Sequence, residues 1–344
     1  MLVNNNNCCI TIKLSYTLVK KMNKKITFVL VLALAAFLVM GSASAGLFDF
    51  LGGGDDTVKI GYLPSDHDAA LFVADAQGLY KDKGINTELV QFNNGGDLMT
   101  AMASGDVDVG YVGISPVLSS VSAGVPVKVI SAAQVEGSGI VVTNDSNIDD
   151  ARDLAGKTVA TPGEASIQHV LLAAYLKANG MSLDDVNESA MKVPAINDAL
   201  KTGNLPAAVT FQPYVSLGET DANIHKLVDS SEIVPGHPCC VVVASDDFLN
   251  KSADKAKDIV AIHKEATVFI NKNIEDGKTE EVVKLLPEDI VADPAAEAES
   301  LESFPFIFGL SNEYKANVDV FQQLEVDLGI LNQTVSHEDL YWEA

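Results

Sequence analysis

The sequence predicts an α/β protein of two lobes, with mainly parallel sheets and a ligand cleft between the lobes. Three observations carry that expectation. From Val58 to Val129 the chain repeats strand, tight turn and short helix three times. A second α/β series with its own apolar periodicity begins near Ile148 and runs to the helix after Pro213. The chain beyond its N-terminal leader, about 300 residues, exceeds one ordinary core.

Taken in order, the first segment reads as a targeting signal. Lys24 and Lys25 precede an apolar run from Ile26 to Met40, followed by the small residues Ser42, Ala43, Ser44 and Ala45. A basic start, a short apolar run and an Ala-x-Ala site predict a signal peptide over 1–45 and an exported protein at the cell surface or in a periplasm-equivalent space. The alternative is an uncleaved segment that tethers the chain. Met22 reads as a natural start, which makes 1–21 an upstream extension. No cysteine stands at the cleavage point to take a lipid anchor. Residues 46–56 (GLFDFLGGGDD) read as a flexible linker.

The strands VKIGYLP, TELVQF, DVDVGYVG and VKVISAA then alternate with helical stretches, the pattern of a parallel sheet covered by helices. In the second series, GKTVATPG is a strand ending in a Pro-Gly turn, and Ala165 to Asn179 is a helix closed by Gly180. A helix over Ile196–Thr202, a strand over Ala207–Phe211 and a helix after Pro213 complete it. From Cys240 to Ala244 the chain makes another apolar strand, and everything after it reads as helical, including Ala253–Asn273, Glu280–Leu286 and Glu313–Leu328. Helices alone cannot found a third sheet, so this part returns to the first lobe. The expected division is lobe 1 over 57–143 and 240–344, and lobe 2 over 144–239.

Charge and cysteine content exclude several classes. All 47 acidic residues follow Ala45, while five of the 23 basic ones precede it, leaving 18 against 47 and a net −29. Such a surface argues against nucleic acid and anionic membranes as partners. Beyond the leader only Cys239 and Cys240 remain, so no disulfide framework is expected. His237 with Cys239 and Cys240 has no second His/Cys cluster in sequence to complete four ligands, and no metal is expected. No nucleophile elbow, phosphate loop, zinc-protease or dinucleotide motif occurs, so no catalytic residue, cofactor or enzymatic activity is expected.

The candidate site lies at the strand-to-helix turns, where open α/β sheets bind ligands and helix N-termini present free amides. The first turn supplies Ser65, Asp66, His67 and Asp68, with Ser65 or Asp66 as the helix cap and an aspartate able to face an ammonium group. The second supplies Gly95 and Gly96. The third supplies Gly113, Ile114 and Ser115, with Ser115 as the cap before Pro116. The second lobe repeats the device at Gly163 and Ser166, with Gln168 in the first turn of the helix, and at Gln212 before Pro213.

The stretches GYLPSDHDAALFVADAQGLYKDKGINTELVQF, GGDLMTAMASGDVDVGYVGISP, AGVPVKVISAA and DLAGKTVATPGEASIQHVLLAAYLKANG together resemble the nitrate, sulfonate and taurine type of solute-binding proteins of ABC importers. That group includes binders related to thiamine-pyrimidine precursors. The resemblance runs from about Val58 to about Ala244, and the helical C-terminal third matches only in kind. It implies a type II periplasmic-binding-protein fold and a monomer that closes on a small sulfonate-like anion or zwitterion and delivers it to permease subunits at the membrane. By the same resemblance, ligand contacts fall on the turn residues above, on Gln134 and Ser138, and on His237. The chain's one arginine, Arg152, reads as a surface residue, a departure from binders that clamp an anion with arginine. The alternative the resemblance leaves is an enzyme or binder of the pyrimidine-precursor branch on the same fold.

Overall fold

The computed structural model describes residues 56–343. The leader and all but the last residue of the linker lie outside them. The first series comprises β1 (Val58–Tyr62), a 3-10 turn (Asp66–Asp68), α1 (Ala69–Ala76), α2 (Leu79–Asp82), β2 (Thr87–Gln91), α3 (Gly95–Ser104), β3 (Val109–Gly113), α4 (Ile114–Ser122) and β4 (Val127–Gln134). The second comprises β5 (Ser138–Thr143), β6 (Thr158–Thr161), α5 (Ile167–Ala178), β7 (Asn187–Ala190), α6 (Val193–Lys201), β8 (Ala207–Phe211), α7 (Tyr214–Glu219), β9 (Ile224–Asp229) and α8 (Ser230–Ile233). The return comprises β10 (Cys240–Ser245), α9 (Asp246–Lys251), α10 (Ala253–Glu275), α11 (Thr279–Val283), α12 (Pro294–Glu302), β11 (Phe306–Gly309), α13 (Asn312–Asp327) and α14 (His337–Leu340).

Two sheets result, one of six strands in the order β11-β4-β10-β3-β1-β2 and one of five in the order β7-β6-β8-β5-β9. They are mixed rather than mainly parallel. β1 pairs in parallel with β2 and β3, and β6 with β7 and β8. β10 runs antiparallel to β3 and β4, and β5 antiparallel to β8 and β9. The reason is where the chain crosses. A strand that receives the chain from a crossing at the cleft starts at the cleft edge and runs away from it, against strands whose C-terminal ends point there. The registers Cys240↔Gly113 and Ser138↔Phe211 place both starts beside such ends.

Two further differences follow from short or featureless runs. Ser138–Thr143, which the sequence places in the first lobe, hydrogen-bonds into the second sheet. Its apolar run resembles that of β4, and the crossing between them is only three residues long. The part after β10 is not wholly helical: β11 pairs with the edge of β4, and a four-residue strand is too short to show a period.

The helices form where the pattern demands. Asn94 caps α3, its Oδ1 accepting from the Asp97 amide, and Ser166 caps α5 by accepting from the His169 amide. After α5, Gly180 takes the left-handed conformation (φ 74°) that ends the helix. α10 buries Ile259, Ile262, Ala266 and Ile270 at helical spacing and packs on α1 and β11. Alternate residues of β5 serve two cores: Ile140 and Val142 join the large core, which takes in α5 as well as the first sheet, and Val141 the smaller core of α6 and α7. No helix among the described residues is long and apolar enough to cross a membrane.

α3 lies so close to the first sheet that glycine is needed beneath it. A Cβ at Gly110 would sit 2.7 Å from Leu98 Cδ2, and Leu98 is fully buried. Gly110→Ala is expected to lower unfolding free energy by about 1–3 kcal/mol in urea titration. The same change in a Leu98→Ala background is expected to cost clearly less; equal costs in both would show that the close approach is not what glycine relieves.

Candidate functional site

The turns of both sheets meet at a cavity of about 40 Å³, room for a few water-sized groups. Leu63, Ser65, His67 and Asp68 reach it from the turn after β1, Asn93 to Gly95 from the turn after β2, and Gly113 and Pro116 from the turn after β3. The second lobe contributes Pro162 and residues 165–168 around the start of α5, and Phe211 at the end of β8. Cys239 and Cys240 complete it from the start of β10. The starts of α3, α4 and α5 therefore converge on one space, and their first-turn amides have no partner within their own helices. No lysine or arginine is among the lining residues.

The first turn is fixed by its own side chains. Ser65 Oγ accepts from the His67 amide (3.1 Å) and donates to the Gln212 carbonyl in the second lobe (2.7 Å). Asp68 Oδ2 accepts from the Leu63 amide (3.0 Å), and burial drives its carboxyl well above the usual range. Asp66 is fully buried, and its Oδ2 takes the hydroxyl of Ser300 on α12. Burial raises its carboxyl to about 6, against the pull of His67 and Ser300.

His67 occupies the middle of this arrangement. Its Nε2–H donates to the Gly137 carbonyl (3.0 Å), which leaves the Nδ1 lone pair facing two thiols at 3.7 Å each, Cys239 and Cys240. Phe304 packs edge-on at 4.8 Å between ring centres. Burial depresses the imidazole's basicity, but the Cys239 thiol and the two aspartates outweigh it, and the net direction is up. Burial also opposes ionisation of Cys239, yet Cys240 and His67 prevail and hold that thiol well below its usual range. Its neighbour Cys240 is pushed the other way, by the hydrogen bond to Cys239 and by burial. The two thiols are thus driven in opposite directions, Cys239 toward ionisation and Cys240 away from it.

Residues 52–287 match the NMT1-like family. The chain belongs to that family. Among curated proteins similar to it, the taurine-binding periplasmic protein of Escherichia coli (strain K12) is 29% identical over 232 residues, 66% of this chain and 71% of that protein. The 4-amino-5-hydroxymethyl-2-methylpyrimidine phosphate synthase of Aspergillus parasiticus is 28% identical over 233 residues, 62% and 67% of the two chains. Among solved structures, the periplasmic aliphatic sulphonate binding protein SsuA of Escherichia coli superposes with a TM-score of 0.70 at 19% identity, covering 84% of this chain and 93% of that one. The fold is thus the two-lobed periplasmic-binding-protein fold.

Within this NMT1-like chain, seven of the sixteen residues proposed from sequence line the cavity: Ser65, His67, Asp68, Gly95, Gly113, Ser166 and Gln168. Gly96 and Gly163 border a neighbouring space of about 220 Å³ between the second turn and the start of α5. The other seven stand behind the wall. Asp66, which the sequence offers to an ammonium group, is held by Ser300 instead. The Ile114 amide is already taken by the Cys239 carbonyl (2.7 Å). Ser115 is not a cap, because Gly113 is the extended residue before α4 and Ile114 begins it; the Ser115 hydroxyl points toward Glu325 of α13 without a hydrogen bond. Gln134 Oε1 accepts from the Cys240 amide (3.3 Å), and Ser138 Oγ accepts from Gln168 Nε2 (2.9 Å). Gln212 spends its amide on Ser216 and Ser303. His237 is buried, stacked on Phe321 with ring centres 5.9 Å apart, and its basicity is lowered by burial.

The lining also holds residues the turns alone do not single out. Leu63 follows the last residue of β1 and Phe211 is the last of β8, both at the cleft edge. Cys239 and Cys240 needed the observation that β10 starts at that same edge. Arg152 is exposed.

Glu325, behind the third turn, supplies a test of this packing. Burial pushes its carboxyl up to about 7, against Ser115 and His169. An acid bound to its proton more tightly in the fold than in the unfolded chain stabilises at low pH, and that contribution is lost as pH rises from about 4.5 through about 7. Glu325→Gln is expected to remove this decline, so urea titrations at pH 4.5, 6 and 8 should show the variant gaining on the native protein with pH. Parallel curves would place Glu325 in water rather than behind Ser115.

Proposed function

We propose that the protein is the exported solute-binding component of an ABC importer, a monomer that closes its lobes over a small sulfonate-like anion or zwitterion and hands it to permease subunits. The observation that carries the reading is the convergence of three helix starts from both sheets on one small cavity. Helix N-termini favour negative charge and offer unpaired amides to oxyanion oxygens. The mostly apolar remainder of the wall, with Leu63, Pro116, Ile167 and Phe211, suits a short carbon chain. The taurine-binding relative and the sulphonate-binding neighbour support the same ligand class. A second reading, a pyrimidine-precursor binder or synthase, is favoured by the fungal phosphate synthase relative and by the His67 and cysteine cluster at the cavity.

Thermal unfolding of the purified protein with taurine, alkanesulfonates, nitrate and aminopyrimidines separates the two. A ligand present at 100 times its Kd stabilises by about 2.7 kcal/mol, so a clear rise in Tm is expected with at least one sulfonate. A rise with aminopyrimidines alone would replace the anion reading with the second one. Gln168→Leu is expected to weaken sulfonate binding at least tenfold in calorimetric titration while the ligand-free protein still melts cooperatively.

A further inference from the structure

We propose that His67, Cys239 and Cys240 form a three-ligand site for a thiophilic divalent cation of the zinc class, with the fourth coordination position facing the cavity. The inference goes beyond solute binding and stands without it.

The ligand atoms are already spaced for such an ion. Nδ1 of His67 lies 3.7 Å from each sulfur, and the sulfurs are 4.0 Å apart. With bonds of about 2.3 Å to sulfur and about 2.0–2.1 Å to nitrogen, tetrahedral angles put two sulfurs about 3.8 Å apart and a sulfur and nitrogen about 3.6 Å apart. The observed triangle needs a contraction of only a few tenths of an ångström. A disulfide is a poorer account, since both cysteines are free and their sulfurs are at about twice the bonded distance.

The surroundings orient the ligands as metal sites do. A ligating histidine donates its other N–H to a carbonyl or carboxylate, which fixes the tautomer and raises the basicity of the coordinating nitrogen. Here the Gly137 carbonyl takes the Nε2–H. Gly137 itself has φ 79°, and a Cβ there would come within 2.6 Å of His67 Nε2, so glycine is what allows this approach. The sulfur side is held as well: the Cys239 amide donates to the Gln134 carbonyl and the Cys240 amide to Gln134 Oε1, both at 3.3 Å. Buried thiols with no further role are inert apolar groups, but these two open on the cavity beside Asp68. The strongly acidic chain also draws cations toward its surface. Binding deprotonates whatever thiol protons remain and leaves one metal position for water or a donor atom of a ligand.

The test uses the full chain, reduced and stripped with a chelator, and Zn²⁺ alone as the probe. Calorimetric titration is expected to give one tight site, and Co²⁺ substituted for Zn²⁺ is expected to show thiolate-to-cobalt charge transfer in the near ultraviolet with tetrahedral visible bands. Cys239→Ser, Cys240→Ser and His67→Gln should each weaken Zn²⁺ at least tenfold. Gly137→Ala, which keeps all three ligands but crowds the histidine, should weaken it as well. His337→Gln, at the exposed pair with Asp319, should change nothing. Circular dichroism and urea midpoints of each variant separate loss of the site from loss of the fold. Zn²⁺ affinity unchanged in both Cys239→Ser and Cys240→Ser, a cobalt spectrum without thiolate bands, or binding abolished by His337→Gln alone would each overturn the assignment.

Discussion

The two passages of the chain between the sheets are bonded to each other, and the rest of the architecture depends on that. Val135 bridges Pro238 in antiparallel fashion. The Glu136 amide donates to the His237 carbonyl at 3.1 Å, the Gly236 amide to Glu136 Oε1 at 2.7 Å, and the Cys239 amide to the Gln134 carbonyl. A short two-stranded ribbon thus joins the lobes where a single covalent strand would leave them free to twist. Because the ribbon emerges at the cleft edge, the strands it feeds must start there. That one constraint makes both sheets mixed and delivers Cys239 and Cys240 to the cavity floor.

The sheets also meet through other contacts, apolar as well as polar. Ser65 Oγ reaches the Gln212 carbonyl, Tyr214 Oη reaches the Pro64 carbonyl at 3.0 Å, and His67 reaches Gly137 at the ribbon. Each such hydrogen bond is worth about 0.5–1.5 kcal/mol net, because water replaces it when the partners separate.

Much of this was legible in the chain because the relevant rules are local. The βα turns, the Asn94 and Ser166 region and the Gly180 stop obey capping and turn chemistry that spans a few residues. What stayed hidden depends on distant segments. Asp66 reads as a cleft residue until Ser300 arrives from α12 to claim it. Ser115 reads as a cap because a serine precedes a proline, yet the extended residue is Gly113, set by its pairing with Cys240. His237 stands next to the two cysteines in sequence and so draws the eye, but its ring packs on Phe321 of α13. The histidine that meets the sulfurs is His67, 172 residues away from Cys239, and no spacing rule reaches that far.

The electrostatics of the interior bear on the anion and the metal proposed for so acidic a chain. The acids nearest the cavity are all shifted toward their neutral forms by burial. Burial drives Asp68 toward its neutral form, and burial together with Asp66 drives Glu297 the same way. The surface charge lies outside this shell and is screened over about 8–10 Å by physiological salt. Inside it, the partial positive ends of α3, α4 and α5 face little opposing charge. With no lysine or arginine in the wall, long-range attraction cannot select the ligand. Selection falls to groups that act only at contact: the backbone amides, the Ser166 and Gln168 side chains, and the imidazole and sulfurs at the end of the ribbon.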